Sequence, residues 1–276
     1  MINEFVIYLR CVRGYSENTI RAYSADLQSY ARWAKEQNES ARWSTITRED
    51  IDKYLEHCKQ LRLSASTTNR QLAAISGFYR FMQRNGLDVV NPCQYESRKK
   101  QAQTLPATIN PKQLCKAYER AHGIGKVMLG LLITTGIRIQ ELLDLTYEDI
   151  DFDNCTLLIK GKGSKERLVK TEPEALKTLQ GFVTDLKASG RIFYISQRKA
   201  RSMVYDMLQP YCRGAALNPH AIRHTFATEL AKAGESTTTI AKMLGHTHIE
   251  TSQKYINMAE IPTTHKGISL TKIKTS

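Results

Sequence analysis

Apolar residues recur at helical spacing through the first third of the chain. Ser16 is a candidate N-cap, and the residues that follow it at steps of three or four are Ile20, Tyr23, Leu27, Tyr30 and Trp33. Two further amphipathic stretches begin near Thr47 and Ser66. Because this period is typical of helices with one buried face, the pattern predicts a helical N-terminal region whose aromatic stripes form its core. The basic residues among the stripes are candidate phosphate contacts: Arg21, Arg70 and Arg80.

The pattern changes to short apolar runs in the middle of the second half. Residues 156–159 and 167–169 flank a turn that contains Gly161 and Gly163, which predicts a β-hairpin. Residues 191–195 are a candidate third strand.

The rest of the second half is typical of helices. Residues 111–121 and 124–135 precede the hairpin, and helical periodicity returns after Arg198. Asn218 and Pro219 form a helix start, and Gly234 is expected to end that helix. The fold class predicted for the whole chain is mainly α with a small antiparallel β-sheet, an α+β protein.

Residues 91–111 are predicted to connect two domains. They show no apolar period and contain Pro92, Pro106 and Pro111 together with the basic run Arg98-Lys99-Lys100. The predicted division is a helical domain over 1–98, a basic linker over 99–110 and a second domain over 111–276, with a polar tail from about 259.

Composition and charge favour a globular protein that binds nucleic acid. With 276 residues, of which 41% are hydrophobic and 24% charged, the chain can bury a core, which excludes a disordered tail protein. The formal net charge is +13, and residues 99–276 hold 26 Lys and Arg against 16 Asp and Glu. A polyanion is therefore the expected partner, nucleic acid before an anionic membrane surface. Lys99 and Lys100 of the predicted linker would lie along this polyanion.

Membrane and metal roles find no support in the sequence. The longest nearly uncharged apolar run, residues 127–137, has 11 residues, whereas a bilayer-spanning helix needs about 20. The N-terminus does not resemble a signal peptide, so we expect a cytosolic protein without a membrane partner. The six cysteines are at least 22 residues apart. We expect reduced, mostly buried thiols and no structural zinc.

Three basic residues occupy positions that a core-seeking pattern does not explain. Arg138 interrupts an apolar stretch, so its guanidinium must meet an anion or a carboxylate, and an ion pair with Glu141 is the structural alternative. His220 and Arg223 share a helix face, and such a pair suits a phosphate group.

A different interpretation is a helix-turn-helix regulator without chemistry. Residues 230–246 have the helix, Gly-containing turn and second helix of that motif. This interpretation leaves Arg138, Lys162, His220, Arg223 and Tyr255 unexplained, although a lone Tyr is usually a packing residue.

Taken in order, these residues resemble the tyrosine recombinases, the phage integrase family. The similar segments are the first arginine box at 134–142, the lysine hairpin at 159–167, the HxxR box at 219–226, the second histidine box at 244–248 and Tyr255. Residues 16–23 are similar to the opening of the family's helical core-binding domain. The resemblance runs over nearly the whole chain. The length of the chain is similar to that of the compact two-domain members of the Xer and integron types.

The resemblance implies a role for each residue. Tyr255 is the nucleophile that forms a 3′-phosphotyrosyl link, Arg138 and Arg223 bind the non-bridging oxygens, and Lys162 protonates the 5′ leaving group. His220 and His246 manage the tyrosine proton, and Glu141 orients its neighbours. Since arginine and lysine supply the positive charge, no metal or other cofactor is expected, and activity in EDTA follows.

The implied partners are double-stranded DNA with specific recombination sites and further copies of this chain, forming a tetramer on DNA. Lys160 and Lys165 of the hairpin are further candidate DNA contacts, although a hairpin tip is usually just a solvated turn. A type IB-like topoisomerase, which shares the covalent chemistry, stays open beside the non-catalytic regulator.

Overall fold

The computed structural model describes residues 1–94, 107–161, 166–184, 190–213 and 216–245. The contacts between Cα atoms divide the chain into two compact units, Met1–Gln103 and Thr104–Ser276. In the described part of the chain, no helix is both long and apolar enough to cross a membrane.

The first unit consists of four helices: α1 (Ile2–Cys11), α2 (Glu17–Gln37), α3 (Arg48–Gln60) and α4 (Ala65–Arg84). Hydroxyl side chains cap three of them. Ser16 accepts a hydrogen bond from the Thr19 N–H, and Thr47 forms a capping box with Asp50. Helix α4 begins at Ala65, one residue before the predicted start at Ser66, and Ser64 is its N-cap.

The aromatic stripes form the core of this unit, as the periodicity predicts. Tyr30, Tyr54 and Phe78 are each at most 3% exposed. Tyr30 and Tyr54 pack edge to face with ring centroids 4.8 Å apart. The Tyr79 hydroxyl donates to the Trp43 carbonyl at 2.6 Å, which ties the loop between α2 and α3 to α4.

An ion pair between a buried carboxylate and a half-exposed arginine joins α2 to α4. The guanidinium of Arg70 donates to both carboxylate oxygens of Asp26, at 2.8 and 3.0 Å, and the Asp26 side chain is only 6% exposed. We expect Arg70→Ala to lower the free energy of unfolding of this unit by about 2 kcal/mol, because it leaves a buried carboxylate unpaired. Urea denaturation followed by tryptophan fluorescence measures this selectively, since Trp33 and Trp43 are the only tryptophans.

Arg80→Ala is the matched control for that prediction. Arg80 is exposed, and its guanidinium bonds only to Ser76 among the described residues. Its loss is expected to change the unfolding free energy by less than about 0.5 kcal/mol. Equal effects of the two substitutions would contradict the structural role of Arg70.

The second unit is built around one buried helix. Its helices are α5 (Pro111–Arg120), α6 (Gly123–Thr135), α7 (Ile139–Leu143), α8 (Pro173–Thr184), α9 (Gln197–Leu208), α10 (Pro219–Lys232) and α11 (Thr237–Leu244). Apart from Lys126 near its start, helix α6 is apolar on all sides, and it contacts α5, α7, α8, α9 and α10. A helix with this composition is stable only when other elements cover it, so α6 forms the centre of the unit.

A small antiparallel sheet completes this unit, as predicted. Its order is β1 (Ile150–Asp151), β2 (Thr156–Lys160) and β3 (Glu166–Lys170), with Leu157 opposite Val169 and Ile159 opposite Arg167. The candidate strand at 191–195 was wrong: within it only Arg191 pairs, in an isolated bridge with Thr146. Ile192 and Phe193 are buried as a loop in the core. A short apolar run signals burial, which a core loop satisfies as well as a strand does.

Candidate active site

Arg138 lies at the sharp turn between α6 and α7. Gly136 ends α6 with φ at 61°, and a Cβ there would collide with the ring of Phe226, so the turn requires glycine. The Arg138 Nη1 donates to Oε1 of Glu141 at 2.8 Å, while 41% of the arginine side chain stays exposed. Arg138 therefore forms the ion pair considered as the structural alternative and still offers part of its guanidinium to a ligand.

Arg223 is a buried guanidinium held by backbone carbonyls. It lies on α10, which begins at N-cap Asn218 with Pro219 in the first turn, as predicted. Only 5% of Arg223 is exposed. Its Nη1 donates to the Gly136 carbonyl at 2.7 Å and its Nη2 to the Leu244 carbonyl at 2.6 Å. Arg223 thus links α10 to the ends of α6 and α11.

His220 lies one turn before Arg223 on α10. Partial desolvation of its ring, and then the positive charges of Arg201, Arg223 and Arg138, hold the pKa of His220 below its ordinary value of 6.5. Arg223 and Arg138 bind the carbonyls of the adjacent residues Leu244 and Gly245, and His220 is one turn from Arg223, so three candidate catalytic residues lie in one electropositive region. Such a region suits a phosphate, whose oxygens accept charge-assisted hydrogen bonds.

We expect His220 to titrate with a midpoint below 6.5 in phosphate-free buffer, measured by NMR on the free protein. Because the folded pKa is below the unfolded one, the unfolded chain binds the proton more readily, and His220 costs stability as the pH falls below 6.5. Arg201→Gln removes one of the repelling charges and should raise the midpoint. Arg198→Gln, on the same helix, should leave it unchanged. A midpoint at or above 6.5 would contradict the placement of these charges.

Three arginines bind the C-terminal end of α11. The carbonyls of three successive residues each accept a bond from a different arginine: Met243 from Arg167 at 3.0 Å, Leu244 from Arg223 at 2.6 Å and Gly245 from Arg138 at 3.3 Å. The carbonyl end of a helix is partly negative, so these contacts are favourable. The next residue along the chain is His246.

The sequence reasoning missed Arg167 and Arg201. Arg167 lies on β3, on the same face as buried Val169, and its side chain is 13% exposed. The alternation along the predicted strand carried the signal, because a charged residue on an inward face needs a carboxylate partner. That partner is Glu141, which was assigned an orienting role.

The other predicted site residues fall in two groups. Six of them lie outside the described residues: Lys99, Lys100, Lys162, Lys165, His246 and Tyr255. The described residues of the second group contact other residues of the same unit. Lys160 Nζ lies 2.6 Å from Asp149 Oδ1, and the Arg21 guanidinium donates to Asn18 at 3.2 Å. Within the described segments no cluster of His, Cys, Asp or Glu could hold a metal ion.

Solved structures share this fold. XerH site-specific recombinase bound to palindromic difH substrate aligns with a TM-score of 0.74 and 18% identity, covering 94% of this chain and 82% of that one. A lambda integrase (75–356) dimer bound to a COC′ core site aligns with a TM-score of 0.73 and 16% identity, covering 97% and 98%.

Sequence comparison extends the likeness to curated proteins and to a family. Tyrosine recombinase XerC of Anoxybacillus flavithermus is 27% identical, with 94% of this chain and 93% of the relative covered. Tyrosine recombinase XerD of Oceanobacillus iheyensis is 29% identical, with 94% of each covered. Residues 2–86 match the N-terminal SAM-like domain of phage integrases, and residues 98–260 match the phage integrase family. The chain therefore belongs to the phage integrase family and is a tyrosine recombinase.

Proposed function

We propose that this tyrosine recombinase cleaves and rejoins DNA strands at specific sites through a covalent bond between Tyr255 and a 3′ phosphate. The convergence of Arg138, Arg223 and His220 in the second unit carries the proposal. Two guanidinium groups beside an imidazole provide what phosphoryl transfer requires, namely positive charge at the non-bridging oxygens and a group that exchanges protons.

In this proposal the Tyr255 hydroxyl oxygen attacks the scissile phosphorus, and the bond from phosphorus to the 5′ oxygen breaks. Lys162 gives its proton to the leaving 5′ oxygen, while Arg138 and Arg223 donate to the non-bridging oxygens. Attack by a 5′-hydroxyl on the phosphotyrosyl bond reverses these steps and releases the tyrosine. The covalent link conserves the energy of the phosphodiester, so rejoining needs no ATP.

The low pKa of His220 supports its role as a proton acceptor. A free tyrosine has a pKa near 10 and is mostly protonated at neutral pH, so attack requires a group that takes its proton. Because His220 has a lowered pKa, its ring is mainly neutral at pH 7 and can accept that proton. His246, next after Gly245, would supply a second imidazole beside the phosphate.

We assign duplex binding to both units. Residues 1–98 would form the core-binding domain, 99–110 the linker and 111–276 the catalytic domain, with phosphate contacts from Arg21, Arg70, Arg80, Lys99, Lys100, Lys160 and Lys165. Since Arg70 and Lys160 pair with buried carboxylates, we expect Arg21 and Arg80 to contribute more to affinity. The active assembly would be a tetramer on two duplexes, working in the cytoplasm.

Incubation with a nicked suicide duplex tests the proposal. The duplex carries the chain's own site, found by sequencing DNA that the protein traps in its host, and the buffer contains EDTA. We expect a protein–DNA adduct that survives denaturation. A bound but never covalently attached duplex would favour the helix-turn-helix regulator. Relaxation of supercoiled DNA without paired sites would favour the topoisomerase.

A further inference from the structure

We propose that Arg167 is a positioning residue for strand cleavage: it orients Arg138 through their shared carboxylate and holds the end of α11, from which the chain continues to His246. The inference rests on the proposed function of the site. Arg167 lies on β3, which follows Lys162 in the sequence, and it is turned away from solvent, with 13% of its side chain exposed.

Glu141 is shared by two arginines. Arg167 Nη1 and Nη2 donate to its two carboxylate oxygens at 3.1 and 2.8 Å, in the bidentate geometry that arginine forms best. Arg138 donates to the same two oxygens from Nη1 and from its backbone N–H, both at 2.8 Å. The Glu141 side chain is 7% exposed.

The charge of Glu141 depends on these arginines. Burial would raise the pKa of Glu141, but the hydrogen bonds from Arg167 and Arg138 outweigh burial and hold the pKa below its ordinary value of 4.5. The carboxylate is therefore ionised at neutral pH and can orient Arg138. Without Arg167, Glu141 would bind Arg138 alone, and the balance of contacts that aims the Arg138 guanidinium would change.

Arg167 also binds the backbone that leads to His246. Its Nε donates to the Met243 carbonyl at 3.0 Å. Gly245 has φ at 63°, and a Cβ there would lie 2.9 Å from Arg167 Nη1, so glycine leaves room for the guanidinium. Arg167 is thus the contact that joins strand β3, the Arg138–Glu141 turn and the end of α11.

The donors of Arg167 point at the protein rather than at a ligand. All three of its side-chain nitrogens donate, two to the Glu141 carboxylate and one to a backbone carbonyl. These contacts hold the guanidinium against Glu141 and the end of α11, and no contact with the substrate phosphate is proposed for it. Its effect on the reaction must come through Arg138 and the segment that ends at Gly245.

The test compares Arg167→Lys with Arg191→Lys by single-turnover cleavage of the suicide duplex at saturating protein. Arg191 donates to Asp144 at 2.6 Å, also beside α7, but is 55% exposed and makes no contact with Glu141. We expect Arg167→Lys to lower the cleavage rate at least tenfold with the duplex dissociation constant changed less than threefold. Arg191→Lys should leave both within twofold.

A double substitution distinguishes positioning from general damage to the fold. In an Arg138→Lys background, Arg167→Lys should lower the rate less than threefold, because the residue through which it acts is already impaired. The inference would be overturned if Arg167→Lys lowered the cleavage rate by the same factor in both backgrounds. It would also be overturned if the Arg167→Lys enzyme cleaved at the unsubstituted rate. If circular dichroism shows that Arg167→Lys does not fold, Arg167→Gln is measured against the same criteria. Absence of any adduct from the unsubstituted chain would instead overturn the proposed function.

Discussion

Tyr255→Phe is expected to abolish the covalent protein–DNA adduct while leaving duplex affinity within about twofold. The substitution removes one oxygen atom, the proposed nucleophile, and no other group is proposed to replace it. The measurement is a suicide-duplex assay on a denaturing gel, paired with a binding isotherm at a fixed salt concentration. The salt must be fixed because phosphate contacts make affinity depend on it.

Tyr211→Phe is the matched control for this loss. Tyr211 is a half-buried residue of the same unit, which packs near Lys116, and it has no proposed role in cleavage. Its adduct yield should equal that of the unsubstituted chain. An adduct that persists in Tyr255→Phe would show that another side chain attacks the phosphate.

Arg223→Ala is expected to lower the rate of adduct formation at least about 100-fold, the effect of removing one donor that stabilises charge in a transition state. It should also destabilise the second unit, because the carbonyls of Gly136 and Leu244 lose the donors seen at 2.7 and 2.6 Å. Single-turnover cleavage and thermal unfolding followed by circular dichroism measure the two effects separately.

Arg223→Lys helps to separate charge from geometry. A lysine keeps the positive charge but cannot bind two carbonyls in one plane, so we expect much of the rate loss to remain. Lys232→Ala serves as the control on the same helix, since Lys232 pairs only with Glu229 among the described residues. If Arg223→Lys cleaves at the unsubstituted rate, the fixed plane of the guanidinium is not required.

The sequence predicted the helices and strands better than it predicted the contacts between residues far apart in the chain. Helix periodicity and caps such as Ser16 and Asn218 are local signals, and the structure confirms them. The antiparallel pairing of β2 with β3 was equally predictable, because alternation along a strand is local too. Residues 162–165 of the predicted turn lie outside the described residues. The strand expected at 191–195 failed because burial in a loop and burial in a sheet leave the same apolar run.

Apart from the local Arg138–Glu141 pair, the contacts that build the site were beyond local reasoning. That Arg223 binds the carbonyls of Gly136 and Leu244 depends on how three segments, far apart in sequence, pack together. The pairing of Arg167 with Glu141 across 26 residues is of the same kind. Family resemblance pointed to Arg138, His220 and Arg223, whereas the supporting role of Arg167 became visible only from its bonds.

The most direct test of the covalent mechanism is the identity of the bond between protein and DNA. The adduct formed on a suicide duplex is digested with nuclease and protease, and the remaining peptide is sequenced by mass spectrometry. We predict a nucleotide joined through its 3′ phosphate to the hydroxyl oxygen of Tyr255. A bond to any other residue, or to a 5′ phosphate, would contradict the proposed chemistry.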